Sequence, residues 1–242
     1  MVQTGPAGPE AMRAELGLVH ASTAAAIIAA PPAAASGPKR WQLAVKRTAD
    51  LLLLLFLVPV AVPAMLLIAV LVKITSPGPV LFRQERVGRG GSTFTMLKFR
   101  SMATHADVEL RSNPEEYARY VANGFKLAPL DQRITQLGRF LRKTSLDELP
   151  QLINVLLGHA SLVGVRPLLT DDFAARSAPD RELYVLHRPG LTGLWQVSGR
   201  SSIAHEERMQ MDRRYLESWR LRTDLRLLLR TPLAVLRTRH AA

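Results

Sequence analysis

At 242 residues and a formal net charge of +12, the chain is long enough for one or two domains with a sizeable core. Its charge points to an anionic partner: nucleic acid, an anionic membrane surface or a phosphorylated substrate. It has no cysteine, which excludes disulfides and thiolate metal sites, and its six histidines show no H-x-x-x-H spacing, which argues against a zinc site.

Residues 1–38 are rich in Ala, Pro and Gly without a sustained amphipathic period, so a disordered N-terminal extension is expected. A signal peptide fits less well: Arg13 is flanked by Glu10 and Glu15, and Pro31-Pro32 interrupts the apolar stretch. From Leu51 to Val72 no residue is charged, and such a run would reach about 33 Å as a helix, enough to cross a hydrocarbon core. Pro59 and Pro63 lie inside it, and Lys39, Arg40, Lys46 and Arg47 precede it while Lys73, Arg83, Arg86 and Arg89 follow it. Positive charge at both ends favours the same side for both, and proline permits a sharp bend. The expected element is a re-entrant helix over about residues 48–74 with its bend at a proline; a spanning helix is the alternative, since prolines are tolerated there too. Asp50, at the mouth of the run, is expected to cap the helix or pair with Lys46 or Arg47.

A turn at Ser76-Pro77-Gly78-Pro79 leads to two apolar segments, 80–82 and 94–97, separated by a polar stretch with Gly88, Gly90 and Gly91. This predicts a β-hairpin; the glycines could cradle a phosphate, but no Walker pattern follows them. Lys98 and Arg100 share one strand face by alternation. Residues 106–125 read as polar helix interrupted at Asn113-Pro114, and 131–143 as a helix with Ile134, Leu137, Phe140 and Leu141 opposite Arg133, Arg139, Arg142 and Lys143.

That basic helix runs into Thr144-Ser145-Leu146-Asp147-Glu148-Leu149-Pro150-Gln151-Leu152. Ser145 and Glu148 have capping-box spacing, with Asp147 complementing a helix dipole. The same carboxylates beside cations could instead hold a metal ion or attack phosphorus. Pro150 would delay the start of the next helix. Loops at 161–167 and 188–200 carry Arg166, Arg188 and Arg200, and several fixed guanidinium groups near a carboxylate suit a pyrophosphate ligand. Residues 203–221 read as a charged helix, and 224–239 as a basic amphipathic helix suited to a membrane surface or to core packing.

Taken together, Lys46-Arg47 with Asp50, Leu97 to Met102, Leu141 to Leu152, Ser161 to Gly164 with Arg166-Pro167, and Arg188 to Arg200 resemble the bacterial sugar transferases, the monotopic phosphoglycosyl transferases, over about residues 46–236. The resemblance implies a mainly α fold with a small β-hairpin: one re-entrant membrane helix and a cytoplasmic α/β catalytic domain with interfacial amphipathic helices, here 39–242. It implies transfer of a sugar 1-phosphate from a UDP-sugar to undecaprenyl phosphate with release of UMP, in the first membrane step of exopolysaccharide or related glycan synthesis. In that family Asp147 would be the nucleophile and a ligand of Mg2+, Glu148 would orient or transfer a proton, and Pro63 would mark the membrane bend. Lys98, Arg100, Arg142, Arg166, Arg188 and Arg200 are the candidate phosphate and nucleotide contacts. The C-terminal blocks and lack of further apolar runs look most like short members using UDP-galactose or UDP-glucose. Val62, Val165 and Gln132 depart from the usual family blocks; Asp147 and Glu148 do not. The implied partners are UDP-sugar, undecaprenyl phosphate and membrane lipid at the cytoplasmic face of a bacterial inner membrane, with a homo-oligomer left open. No nucleic acid is expected, since the few aromatics form no recognition pattern; a membrane-tethered nucleic-acid-binding protein is the alternative that charge alone supports. An inactive scaffold for glycan enzymes is the other alternative.

Overall fold

The computed structural model describes residues 37–122, 131–199 and 203–238. The extension expected over 1–38 lies outside these residues apart from its last two, as does Arg200. The described chain opens with a long helix, α1 (Arg40–Thr75), followed by a hairpin of β1 (Leu81–Val87) and β2 (Thr93–Phe99). Two short helices, α2 (Ala106–Ser112) and α3 (Pro114–Ala122), are separated at Asn113, where a proline follows. Next come α4 (Gln136–Thr144), a 3₁₀ turn (Leu146–Glu148), α5 (Gln151–Leu156) and β3 (Ser161–Val163). The remainder is α6 (Thr170–Ala175), α7 (Ala178–Val185), β4 (Gly190–Thr192), α8 (Leu194–Ser198), α9 (His205–Glu217) and α10 (Leu221–Thr238). The architecture is mainly α with a small antiparallel hairpin, as expected.

The hairpin pairs Leu81 with Phe99 through to Val87 with Thr93, and its turn holds Gly90 and Gly91 at φ 76° and 80°. A second, parallel pair joins β3 to β4, Ser161 opposite Gly190 and Val163 opposite Thr192. Both strands lie in segments expected to be loops. The pairing is close because a Cβ on Gly190 would come within 2.0 Å of the Gly164 nitrogen, an approach that only glycine permits. Three residues per strand is too short for alternation to show in sequence.

Helix α1 starts eight residues before the expected start, at Arg40, and neither Pro59 nor Pro63 ends it. Each proline removes one backbone hydrogen bond, and the helix runs on through both. The buried residues of α1 are Lys46, Asp50, Leu54, Ala61, Ile68 and Val72, spaced by four or seven and therefore on one stripe. Leu54 and Ala61 pack with Leu152, Val155 and Leu162, whereas Ile68 and Val72 pack with Phe99 and Leu141. The rest of its apolar surface is bare: Phe56 is 77% exposed, Val60 74% and Ile74 72%.

Polar contacts fix the first turns of α1. Lys46 Nζ lies 2.5 Å from Asp224 Oδ2 of α10, which also accepts from Trp219 Nε1, while Oδ1 accepts from the Tyr215 hydroxyl. Asp50 neither caps the helix nor takes a hydrogen bond from Lys46 or Arg47; it accepts from Ser161 Oγ (2.7 Å) and the Leu162 N–H (3.2 Å). The largest core joins Val87, Val163, Leu168, Tyr184, Trp195 and Tyr215. Helix α10 divides its apolar residues: Leu227 is fully buried, while Leu225, Leu229, Leu233 and Leu236 are exposed.

Candidate active site

The capping box does not form. Thr135 caps α4 by accepting from the Gly138 N–H, and Ser145 ends that helix in the left-handed conformation, φ 60°. The chain then makes one 3₁₀ turn, with the Glu148 N–H donating to Ser145 O at 3.2 Å and the Leu149 N–H to Leu146 O at 3.3 Å. Pro150 delays α5 to Gln151, as its ring requires. Asp147 and Glu148 thus project from a tight turn between two helices. Asn154 of α5 anchors that turn to the hairpin, accepting from the Leu97 N–H and donating to Thr95 O.

Glu148 is paired through one oxygen. Its Oε1 accepts from Lys98 Nζ (2.7 Å) on β2 and from an Arg166 Nη1 (3.2 Å) in the loop after β3. Burial alone would raise its pKa, but the Lys98 and Arg166 charges and their hydrogen bonds outweigh it and hold Glu148 well below the usual carboxylate range. Asp147 is the opposite. It is 7% exposed, and among the described residues it makes no hydrogen bond or ion pair. Burial and the Glu148 charge push its pKa up, against the pull of Lys98, Arg142 and Arg166.

The structure therefore brings Lys98, Arg142 and Arg166 around the carboxylate pair. Arg142, in the last turn of α4, is held by its Nε–H to Ser101 Oγ at 2.9 Å. Arg100 is used elsewhere: its two terminal nitrogens donate to the carbonyls of Pro77 and Ser76, both at 2.7 Å, and pin the exit of α1 to β2. Gly78 (φ 111°) makes room, since a Cβ there would meet Arg100 Nη1 at 2.3 Å. Arg188 also lies apart, donating to Gly158 O at 2.8 Å beside Arg47 and Arg89.

Two cations near the site escaped the sequence reading. Arg86 of β1, one of the charges that follow the apolar run, is half-buried, donates to Pro167 O (2.9 Å) and keeps an unpartnered Nε. Arg208 of α9 is buried over the Trp195 ring (5.4 Å), again with an unpartnered Nε. Both act electrostatically with Arg166. Strand alternation could have separated Arg86 from its exposed neighbour Arg83; nothing in the charged run of α9 distinguishes Arg208.

A buried carboxylate facing three cations can attack an electrophilic phosphorus whose oxygens those cations neutralise. Among the described residues no three His, Asp or Glu side chains gather into a metal cage. Magnesium needs no such cage, since it binds through one or two carboxylates, water and substrate phosphates. Asp147, which makes no hydrogen bond or ion pair among the described residues, fits that requirement.

The family model for the bacterial sugar transferases matches residues 41–238. The chain is 42% identical to an undecaprenyl-phosphate galactose phosphotransferase of Salmonella typhimurium, over 82% of this chain and 42% of that protein. It is 39% identical to the exopolysaccharide production protein ExoY of Sinorhizobium fredii, over 78% of this chain and 84% of that protein. A UDP-glucose:undecaprenyl-phosphate glucose-1-phosphate transferase of Caulobacter vibrioides is 40% identical over 81% and 71% of the respective chains. The chain thus spans about two fifths of the Salmonella protein but most of the Sinorhizobium one. With a match of this extent and the carboxylate pair set among Lys98, Arg142 and Arg166, the chain belongs to the bacterial sugar transferase family.

Proposed function

We propose that this chain transfers a sugar 1-phosphate, from UDP-galactose or UDP-glucose, to undecaprenyl phosphate through a covalent aspartyl-phosphosugar on Asp147. The observation that carries the reading is the contrast between two adjacent carboxylates: Glu148 is committed to Lys98 and Arg166, while buried Asp147 makes no hydrogen bond or ion pair among the described residues. The names of the galactose and glucose phosphotransferase relatives support the substrate class.

A carboxylate oxygen of Asp147 attacks the phosphorus that bears the sugar, the bond to the bridging oxygen breaks, and UMP leaves with that oxygen. Undecaprenyl phosphate then attacks the acyl phosphate through one of its own oxygens, which frees Asp147 and forms a lipid pyrophosphate. Lys98, Arg142 and Arg166 bind and orient the phosphates. Glu148, kept ionised, serves to hold Lys98 and Arg166 in place rather than to deliver a proton. Magnesium, when bound at Asp147, supplies charge neutralisation at the pyrophosphate.

The same reading puts α1 into the cytoplasmic leaflet of the inner membrane as a re-entrant element with Pro63 at its deepest part. Both halves of α1 pack on one body, which favours both ends on one side of the bilayer. Its bare apolar surface and the exposed leucines of α10 would face lipid.

The test is UMP release by purified protein in detergent with magnesium, undecaprenyl phosphate and a panel of UDP-sugars. Lipid-dependent release with one sugar is expected, reduced at least about 10³-fold in Asp147→Asn. Substantial turnover in Asp147→Asn would overturn the nucleophile.

A further inference from the structure

Away from Asp147 and Glu148, two adjoining cavities open beside the first turns of α1. One, about 640 Å³, is lined by Leu43, Arg89, Gly90, Leu186 and Arg188 among others. The other, about 420 Å³, shares Leu43, Arg89 and Arg188 and adds Arg40, Ala44 and Arg47. Four guanidinium groups thus line one cleft, and among the described residues no acidic side chain does. We propose that this cleft binds the phosphate of an anionic membrane lipid headgroup, separately from the reacting substrates.

Two of the four arginines are held rigidly. Arg47 donates to Val155 O at 2.5 Å and Leu156 O at 3.0 Å, and Arg188 donates through Nε to Gly158 O at 2.8 Å. Carbonyls at the end of α5 and just beyond it fix both guanidinium groups while leaving most of their N–H donors for a ligand. Arg40 and Arg89 are exposed, and their side chains make no hydrogen bond or ion pair among the described residues. Arg89 and Arg47 repel Arg188, and Asp50, the acidic group acting against that repulsion, is already bound to Ser161 and Leu162. An oxyanion shared by such a cluster relieves the repulsion and accepts bidentate hydrogen bonds.

The position selects a lipid. Arg47 stands one turn, roughly 6 Å, before Leu51 and the bare apolar surface that follows, comparable to the depth of a headgroup layer. Trp41, 59% exposed and nearly two turns earlier, is a residue type suited to a membrane interface. The hairpin turn with Gly90 and Gly91, far from α1 in sequence, closes the other wall.

The experiment is native mass spectrometry of the full chain in neutral detergent, titrated with short-chain phosphatidylglycerol or phosphatidylcholine. Retention of phosphatidylglycerol over phosphatidylcholine is expected, and Arg40→Gln/Arg89→Gln should weaken it about ten-fold while UMP release in zwitterionic detergent stays unchanged. Arg119→Gln/Arg213→Gln, which removes the same charge elsewhere, should leave retention intact. Equal retention of the two lipids, or equal loss in both double variants, would overturn the site. Glycerol 3-phosphate should not displace the lipid; displacement at matched concentration would assign the cleft to a soluble phosphate and overturn the lipid assignment.

Discussion

Lys98 and Arg166 converge on one oxygen of Glu148, and the asymmetry this creates with Asp147 can be measured. The Glu148 charge raises the Asp147 pKa, and the Arg142 charge lowers it. Glu148→Gln is therefore expected to move the Asp147 titration to lower pH and Arg142→Gln to higher pH. Infrared difference spectra against Asp147→Asn, without metal, would show the two shifts; shifts of the same sign would refute the assignment. The raised pKa also bears on stability. A carboxyl that holds its proton longer when folded contributes most below its ordinary value, and the contribution is lost as pH rises through its folded value. Asp147→Asn should accordingly raise Tm by a few degrees near pH 7, with the difference fading below about pH 4, as thermal melts across pH would show. Asp147, Glu148, Lys98, Arg142 and Arg166 were legible in sequence as a family-like set of acid among base. Ser145 was not, because Ser-x-x-Glu matches a capping box locally while Lys98 and Arg166, distant in sequence, take the glutamate. Arg100 looked like a ligand because alternation says which residues share a face but not which backbone carbonyls lie nearby.

Among the elements, α1 and α5 carry the placement of the site. The Lys46–Asp224 pair ties the first turns of α1 to α10 inside a cage that includes Tyr215 and Trp219. Removing one partner leaves a buried charge, so Lys46→Met is expected to cost about 3–5 kcal/mol, read by chemical denaturation in detergent. Asn154→Ala strands two backbone groups of β2 and should cost about 2 kcal/mol; activity is expected to fall with it, because the hairpin would no longer hold Lys98 over Glu148. Long periodic elements such as α1, α4 and α10 were readable from spacing and charge. The β3–β4 pair was not, since its short strands form through the Gly164–Gly190 approach, a tertiary event with no local period.

At the scale of the whole molecule, a long apolar helix and the paired carboxylates share one body. If α1 enters and leaves by the same face, cysteines introduced singly at Lys39 and Ser92 should both resist a membrane-impermeant maleimide in spheroplasts and both react in inverted vesicles; the chain has no cysteine of its own, so the background is clean. Reaction of only one in spheroplasts would make α1 a spanning helix. The most direct test of Asp147 as the covalent carrier is intact-protein mass spectrometry after mixing the chain with magnesium and its UDP-sugar in the absence of lipid acceptor. One sugar phosphate added per chain, with one equivalent of UMP, discharged by undecaprenyl phosphate and absent from Asp147→Asn, is the expected result. Full turnover with no such adduct at any time, or an adduct that persists in Asp147→Asn, would contradict it.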